Sequence, residues 1–319
     1  EAGCEYAVME VSSQGIKMHR TDGLYFNYAI FTNISPDHIG PGEHADFEEY
    51  LYYKTRLLNM CGIGLVNKDD KHAPQIIKAA NCELYTYSEE SKEADFVASD
   101  IRYVSQPDFV GTEFHISGKY DMEVRLGIPG LFNVVNALAA VSVCSFLGLD
   151  QARISHALEN IRVNGRMEIV YTSERCTVLV DYAHNAVSME SLLSTLRDYK
   201  PKRLVCVFGC GGNRSKDRRY SMGEIGGKMA DLSIITADNS RYEKVEDIIA
   251  DIRGSIEKTG GKFIEIPDRR EAIRYSILHA QPGDMVAVIG KGHEDYQEIK
   301  GKKYPMDERV LIADILAGK

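Results

Sequence analysis

In this chain, Gly209-Cys-Gly-Gly is followed directly by Asn-Arg-Ser-Lys-Asp-Arg-Arg, so backbone N–H groups freed by glycine stand just ahead of Arg214, Lys216, Arg218 and Arg219. Fixed N–H dipoles with nearby positive charge suit a phosphate or a carboxylate. The same residues also read as a tight turn with a solvated basic face. Nearer the amino end, Asn33-Ile-Ser-Pro-Asp-His38 closes an apolar run and precedes a helical stretch that carries Lys54, so Glu10, His38 and Lys54 could converge at one sheet edge. Glu and His are metal-ligand types. A protonated lysine repels Mg²⁺, whereas a carbamate on its nitrogen supplies the anionic oxygen that a hard cation prefers. Surface charge or a helix-capping histidine would explain these residues without a metal. Cys206 and Cys210 form a C-x-x-x-C, but no second cysteine pair lies near to complete four zinc ligands, and buried thiols are expected.

These residues must be held by regular elements. Tyr6-Ala-Val-Met, Tyr28-Ala-Ile-Phe-Thr-Asn and Leu65-Val-Asn-Lys-Asp are short apolar runs ending in polar loops, as parallel strands buried on both faces are. Asp46 to Leu58 has apolar residues at helical spacing, with Asp46 available as a cap and acids in the first turn. Thr112 to Ile128 alternates as antiparallel strands do, Phe132 to Leu147 reads as an apolar helix bearing Asn133 and Asn136, and a further helix covers Ile154 to Ile161. Val163 to Glu168 is a plausible hinge. Beyond it come strand-like runs at 177–181, 203–209, 232–238, 262–266 and 284–290, separated by helical stretches. That alternation predicts a doubly wound α/β domain, whose ligands sit beyond the carboxyl ends of the strands. Those ends read Asp181-Tyr-Ala-His184, Gly209 to Arg214, Asp238-Asn-Ser-Arg241 and Gly290-Lys-Gly-His-Glu294.

With 319 residues, two domains are expected. The net charge of -9 argues against general nucleic-acid affinity, and no apolar run approaches the roughly 20 residues of a membrane span. The seven cysteines are an odd number without disulfide-framework spacing, which fits a reducing cytoplasm. The opening Glu1-Ala-Gly-Cys lacks an initiator Met and reads like a cut inside a larger protein.

Nine motifs occur together: Glu10-Val-Ser-Ser-Gln-Gly, Phe31-Thr-Asn-Ile-Ser-Pro-Asp-His38, Tyr52-Tyr-Lys54, Leu131-Phe-Asn-Val-Val-Asn136-Ala, Gly165-Arg-Met-Glu168, Asp181-Tyr-Ala-His184, Phe208-Gly-Cys-Gly-Gly-Asn-Arg214, Asp238-Asn-Ser-Arg241 and Gly290-Lys-Gly-His-Glu-Asp-Tyr-Gln297. In type and order they resemble the Mur ligases of the MurE type. The resemblance implies a partial central ATP-binding domain over residues 1–166, followed by a Rossmann-like, amino-acid-binding carboxy-terminal domain over 167–319. It implies ATP-dependent addition of a diamino acid to UDP-MurNAc-L-Ala-D-Glu through an acyl phosphate, in a cytoplasmic monomer that neither binds nucleic acid nor enters the membrane. Glu10 and His38 would then hold Mg²⁺, with Lys54 as a carbamylated lysine, and these three would form the catalytic set. Asn133, Asn136, Arg166, Asp181, His184 and Lys216 would bind ATP. Ser12 and Arg20 would hold the UDP-MurNAc-dipeptide. Arg214, Asp238, Asn239, Arg241, Gly290 and Glu294 would hold the amino acid.

Arg241, with Arg214 and Glu294, favours meso-diaminopimelate over L-lysine, because a guanidinium can pair a distal carboxylate in a bidentate fork. The chain also departs from the family pattern. Met18 stands where some relatives have Gln, the loop Ile39 to Asp46 is long, and Ser240 replaces a Pro and so frees φ. No Gly-x-x-Gly-Lys-Thr phosphate loop occurs, so these residues alone are not expected to turn over ATP. A folylpolyglutamate synthase-like ligase shares the architecture, but the Asp238–Arg241 and Gly290–Gln297 motifs speak against it. A truncated, non-catalytic binding module is the other alternative.

Overall fold

Alternation of apolar runs with amphipathic stretches gives strands buried on both faces and helices laid against them. The computed structural model describes residues 3–36, 39–40 and 42–318. His38, a candidate metal ligand, lies outside the described residues. By packing, the chain divides into two units: one gathers the residues up to 101 with 114–124 and 132–156, the other 102–113, 125–131 and the chain from 157 onward.

The first unit contains α1 (Ser13–Lys17), β1 (Phe26–Phe31), α2 (Phe47–Arg56), β2 (Cys61–Asn67), α3 (Ala73–Ala79), β3 (Glu83–Ser88), the start of β4 (Phe96–Gln106), the end of β5 (Phe109–Gly118), most of β6 (Met122–Leu126), α4 (Leu131–Phe146) and the start of α5 (Gln151–Asn160). The sheet runs β1-β2-β3-β4-β5-β6, parallel from β1 through β4. As its sequence requires, α2 starts on Asp46, whose Oδ1 accepts from the Glu49 N–H at 2.8 Å, and Glu48 and Glu49 sit in the positive first turn. It buries Tyr50 and Leu51 against Phe31, Val66 and Ile76.

The run Tyr6 to Met9, expected as a buried strand, forms none: Tyr6 and Met9 are more than half exposed and Val8 is fully exposed. A buried strand needs a neighbour for its ladder hydrogen bonds, and among the described residues β1 is the edge of its sheet.

The second unit's main sheet contains β7 (Glu168–Thr172), β8 (Cys176–Asp181), β9 (Arg203–Phe208), β10 (Leu232–Ile235), β11 (Phe263–Glu265) and β12 (Asp284–Ile289) in the order β11-β10-β9-β12-β8-β7. All neighbours are parallel except β7, which pairs antiparallel with β8 at the edge. Side-chain alternation splits each central strand between two cores. Leu179, Ala287 and Ile289 join α6 (Ala186–Asp198), α7 (Lys216–Met229) and α8 (Val245–Thr259), while Val178, Val180, Val286 and Val288 join α9 (Arg269–Leu278) and α10 (Glu308–Leu316). Helices on both faces make the expected doubly wound sheet. A hairpin of β13 (Tyr296–Ile299) and β14 (Lys302–Pro305) follows β12. Behind α6, the buried Tyr199 hydroxyl bonds to Thr112 Oγ1 at 3.0 Å and accepts from the Gly130 N–H at 3.1 Å, tying 102–113 and 125–131 to this unit. Among the described residues no helix is long and apolar enough to cross a membrane.

Candidate functional site

In the first unit, α2 carries Lys54 to the carboxyl end of β1. Its Nζ donates to the Asn33 carbonyl at 3.0 Å and lies 5.9 Å from the Phe31 ring centre and 5.4 Å from that of Tyr50. Burial pushes the Lys54 ammonium below its ordinary range, and Asp70 partly opposes this. Asp70, which the motifs did not single out, accepts from the Ile34 and His72 N–H groups, and with Asp69 lines an open cavity of ≈ 470 Å³ beside Lys68, Glu90 and Ser91. Glu10 lies in an exposed stretch just before α1, and Ser12 caps that helix by accepting from the Gly15 N–H at 3.0 Å. Arg20 is exposed, its Nη2 3.5 Å from Met18 Sδ. Helix α1 is joined to the start of α2 by fully buried His44, whose Nε2 is 2.9 Å from Ser13 Oγ and whose ring stacks on Tyr50, and by Lys17 on Glu49 at 2.8 Å. Asn133 and Asn136, three apart near the start of α4, share a face, with Asn136 exposed and Asn133 partly so.

In the second unit the polar residues sit where strands β8, β9, β10 and β12 end. Asp181 is buried, and each of its oxygens accepts a backbone N–H at 2.7 Å, from Met167 and from Ala183. Burial raises its carboxyl above the usual range against these bonds and Arg166. A ribose hydroxyl would therefore be a second donor to an oxygen already in use. Tyr182, next in sequence, packs against His184 and His293 with ring centres 4.7 and 5.1 Å away, and the Arg166 guanidinium lies 5.2 Å from its ring. Gly165 permits this closeness: its φ is +67°, and a Cβ there would fall 2.2 Å from the His293 nitrogen.

The glycine run after β9 has a packing role. A Cβ on Gly212 would lie 1.9 Å from the Ser240 carbonyl oxygen, and the Gly212 N–H donates to the Asn239 carbonyl at 2.9 Å. Of the cations behind it, Arg219 is buried between Glu243 and Asp251, and Lys216, expected at phosphate, pairs with Asp251 at 3.1 Å, which raises its pKa. Arg214 is exposed.

Asp238, Asn239, Arg241 and Glu294 belong to one network. Asn239 donates through Nδ2 to Glu294 Oε2 at 3.0 Å, and its Oδ1 accepts from Lys291 Nζ at 3.1 Å and from the Glu298 N–H at 2.8 Å. Lys291, fully buried, also reaches Glu294 at 2.8 Å and faces Asp238 at 3.9 Å. Burial alone would raise the Glu294 carboxyl, but Lys291 and Asn239 hold it below the usual range. Gly290, at φ +114°, brings its backbone against Asp238, where a Cβ would stand 3.1 Å from Oδ2. Arg241 sits in the left-handed region at φ 51°; its Nε donates to Glu298 at 3.2 Å and its Nη1 to the Gly212 carbonyl at 2.7 Å.

Below this network Arg269 donates to Glu308 at 2.6 Å and to the carbonyls of Ala237 and Ile289, the residues just before Asp238 and Gly290. The motifs gave no sign of Arg269, Glu308 or Glu298. Lys291 was quoted within a motif without being singled out. Cys206 and Cys210 are core thiols that burial holds protonated, Cys210 pushed up to about 12. Among the described residues no group of three His, Cys, Asp or Glu side chains gathers for a metal.

Comparison with known proteins places this geometry. The model of the Mur ligase middle domain matches residues 1–144, and that of the Mur ligase glutamate ligase domain matches residues 165–292. The chain is 39% identical over 321 residues to a UDP-N-acetylmuramoyl-L-alanyl-D-glutamate--2,6-diaminopimelate ligase of Caldanaerobacter subterraneus subsp. tengcongensis, covering 99% of this chain and 64% of that protein. It is 40% identical to the protein of the same name from Trichormus variabilis, over 97% of this chain and 62% of that protein. A solved structure of a UDP-N-acetylmuramoyl-L-alanyl-D-glutamate--2,6-diaminopimelate ligase superposes with a TM-score of 0.76 at 33% identity, covering 97% of this chain and 63% of that one. The chain thus spans slightly less than two thirds of the length of these relatives. A folylpolyglutamate synthase from Thermotoga maritima, with a TM-score of 0.57 at 19% identity, shares the fold alone.

Proposed function

We propose, from the premise that this chain belongs to the Mur ligase family, that it supplies the nucleotide- and amino-acid-handling parts of an ATP-dependent ligase that joins meso-diaminopimelate, in preference to L-lysine, to UDP-MurNAc-L-Ala-D-Glu. The supporting observation is the network at the carboxyl ends of β10 and β12. It fixes Arg241 through Glu298 and Gly212 while its Nη2 bonds to none of the described residues, and it holds Glu294 ionised beside Asn239. An oriented guanidinium of this kind suits a distal carboxylate. Asp238, Asn239, Gly290, Glu294 and exposed Arg214 complete the amino-acid site.

The chemistry follows from a weak electrophile. A carboxylate resists amine attack until one of its oxygens is phosphorylated. Attack of that oxygen on the γ-phosphorus of ATP releases ADP, and attack of the neutral amine on the acyl carbon then releases phosphate. In this reading Asn133 and Asn136 meet the adenine, and Arg166, Asp181 and His184 meet the ribose and phosphates, with Lys216 exchanging Asp251 for phosphate. Ser12 and Arg20 hold the UDP-linked dipeptide.

As an ammonium, Lys54 does not fit Mg²⁺. Its depressed pKa enlarges the fraction of free amine, which adds to CO₂ with loss of one proton to give an anionic carbamate. In that form Lys54, with Glu10 and His38, would hold Mg²⁺, whose bound charge offsets that of the phosphates. A cytoplasmic monomer is part of this reading, and the seven cysteines as free thiols fit a reducing compartment.

The test is product formation by the protein expressed from its whole reading frame, supplied with UDP-MurNAc-L-Ala-D-Glu, ATP, Mg²⁺ and either diamino acid. Tripeptide should form with meso-diaminopimelate, and Arg241→Ala should raise its KM by about tenfold or more, the loss of a charge-assisted hydrogen bond worth about 1.5–3 kcal/mol. Equal use of L-lysine, or no tripeptide with either, would overturn the reading.

A further inference from the structure

We propose that the cavity at the amino ends of β9, β10 and β12 is a second, separate anion site, built around Lys202 and Lys262, which takes a small phosphate-type oxyanion. It goes beyond the ligase reading and stands or falls independently of it.

Strands β9, β10 and β12 start at Arg203, Leu232 and Asp284. Ligands of doubly wound sheets gather at the other, carboxyl end, which the six residues of β9 and of β12 put about 20 Å away. At the amino ends a cavity of ≈ 340 Å³ opens between Lys202, Arg203, Asp231, Lys262, Gln281 and Asp284. That volume suits a small molecule. The backbone fixes both lysines: the Lys202 N–H donates to the Gly283 carbonyl at 3.0 Å, and the Lys262 carbonyl accepts from the Ser233 N–H at 3.0 Å. The Lys202 stem lies across Gly283, where a Cβ would come 2.8 Å from its Cδ.

Charge on the cavity wall is unevenly answered. Asp284, fully buried, accepts from Arg203 through Nε at 3.1 Å and Nη2 at 2.5 Å, and from the Gln281 N–H at 2.8 Å. Asp231 accepts from Arg197 and from the Leu204 N–H, both at 2.7 Å. Among the described residues neither Lys202 nor Lys262 has an ion pair, and the Gln281 side-chain amide makes no hydrogen bond. Two unanswered charges of one sign on a cavity favour a dianion. Arg203 has its fork occupied by Asp284, so a planar carboxylate finds no bidentate partner in it. Ammonium groups are point charges with rotatable donors, and these match the tetrahedral oxygens of a phosphate.

The experiment is lysine footprinting of the whole-frame protein. Acylation of each lysine by an amine-reactive ester is followed by mass spectrometry of the peptides, with and without pyrophosphate at constant ionic strength. Each lysine is read separately, so phosphate bound at the far end of the sheet does not confuse the result. Pyrophosphate should slow acylation of Lys202 and Lys262 at one shared half-protecting concentration, leaving exposed Lys78 and Lys92 unchanged. In Lys202→Ala, which keeps the backbone bond to Gly283, the concentration that protects Lys262 should rise about tenfold, the loss of one charge-assisted hydrogen bond to the anion. Lys262→Ala should do the same to Lys202. Succinate, a planar carboxylate at each end, should protect less well than pyrophosphate. Protection no greater than at Lys78 and Lys92, or protection of either lysine that ignores loss of the other, would leave two ordinary surface lysines and overturn the proposal. Equal protection by succinate would overturn the phosphate class.

Discussion

Arg269→Met should destabilise the second unit by about 3–5 kcal/mol at neutral pH, the usual penalty for removing one partner of a buried ion pair. Arg269 and Glu308 are both fully buried, and the guanidinium makes three bonds: 2.6 Å to Glu308, 3.1 Å to the Ala237 carbonyl and 2.8 Å to the Ile289 carbonyl. Glu308 Oε2 has no hydrogen-bond partner among the described residues, so Arg269 is its main compensation. Burial pushes the Glu308 carboxyl up and Arg269 pulls against it, and at 2.6 Å from a guanidinium we take the pair as ionised. Without Arg269 burial is opposed only by the charge of Lys291, and the folded-state value rises well above the roughly 4.3 of an unfolded glutamate. A carboxyl raised on folding favours the folded state at low pH, and that advantage drains away as pH climbs past the unfolded value. The gap between wild type and variant should therefore be widest near pH 7 and narrower near pH 4. Urea denaturation followed by far-UV circular dichroism measures it, as the chain has no tryptophan. Arg269→Met/Glu308→Leu should recover much of the loss, because no buried charge remains. A gap below about 1 kcal/mol at pH 7, or one independent of pH, would refute this account.

Tyr199→Phe removes a buried hydroxyl that bonds Thr112 and the Gly130 N–H; it should cost about 1–3 kcal/mol and speed amide exchange in 102–113 and 125–131 ahead of the β8, β9 and β12 amides. Uniform exchange changes would contradict that anchoring role. Lys54 should acquire a ¹³C carbamate resonance in labelled bicarbonate that is lost in Lys54→Arg, increasing with pH as the ammonium gives up its proton. A spectrum identical in the two proteins would dismiss the carbamate.

Much of the frame is legible because buried parallel strands announce themselves as apolar runs ending in polar loops: β8 and β12 are buried at all six positions, and both lead into quoted motifs. Asp46 ahead of α2 is legible for a similar reason, since a cap and its acidic first turn are local. Elements defined by partners are not. The mixed, half-buried Glu168–Thr172 shows no clean period and becomes β7 only by pairing with β8, while the apolar Tyr6–Met9 makes no strand because no described residue pairs with it. The candidate site divides likewise. In the second unit the motif residues stand at the strand ends as expected, but Arg219 and Arg269 are of a type that usually stays outside, and only distant acids in the fold explain their burial. Glu298 has no periodic signal, and its meaning comes from lying across from Arg241.

The grip of one guanidinium on carbonyls at the tails of β10 and β12, the two strands that flank β9, has an engineering consequence. On the proposed reading, since Ala237 and Ile289 are fastened from beneath, Ser240, Arg241 and Glu298, which crown them, can be exchanged to retarget the amino-acid site without unseating the platform they stand on, whereas Glu294 must stay to answer buried Lys291. Retargeting by lengthening either tail would instead pull a carbonyl off its anchor, so new substrate preferences should arise more readily by substitution than by insertion.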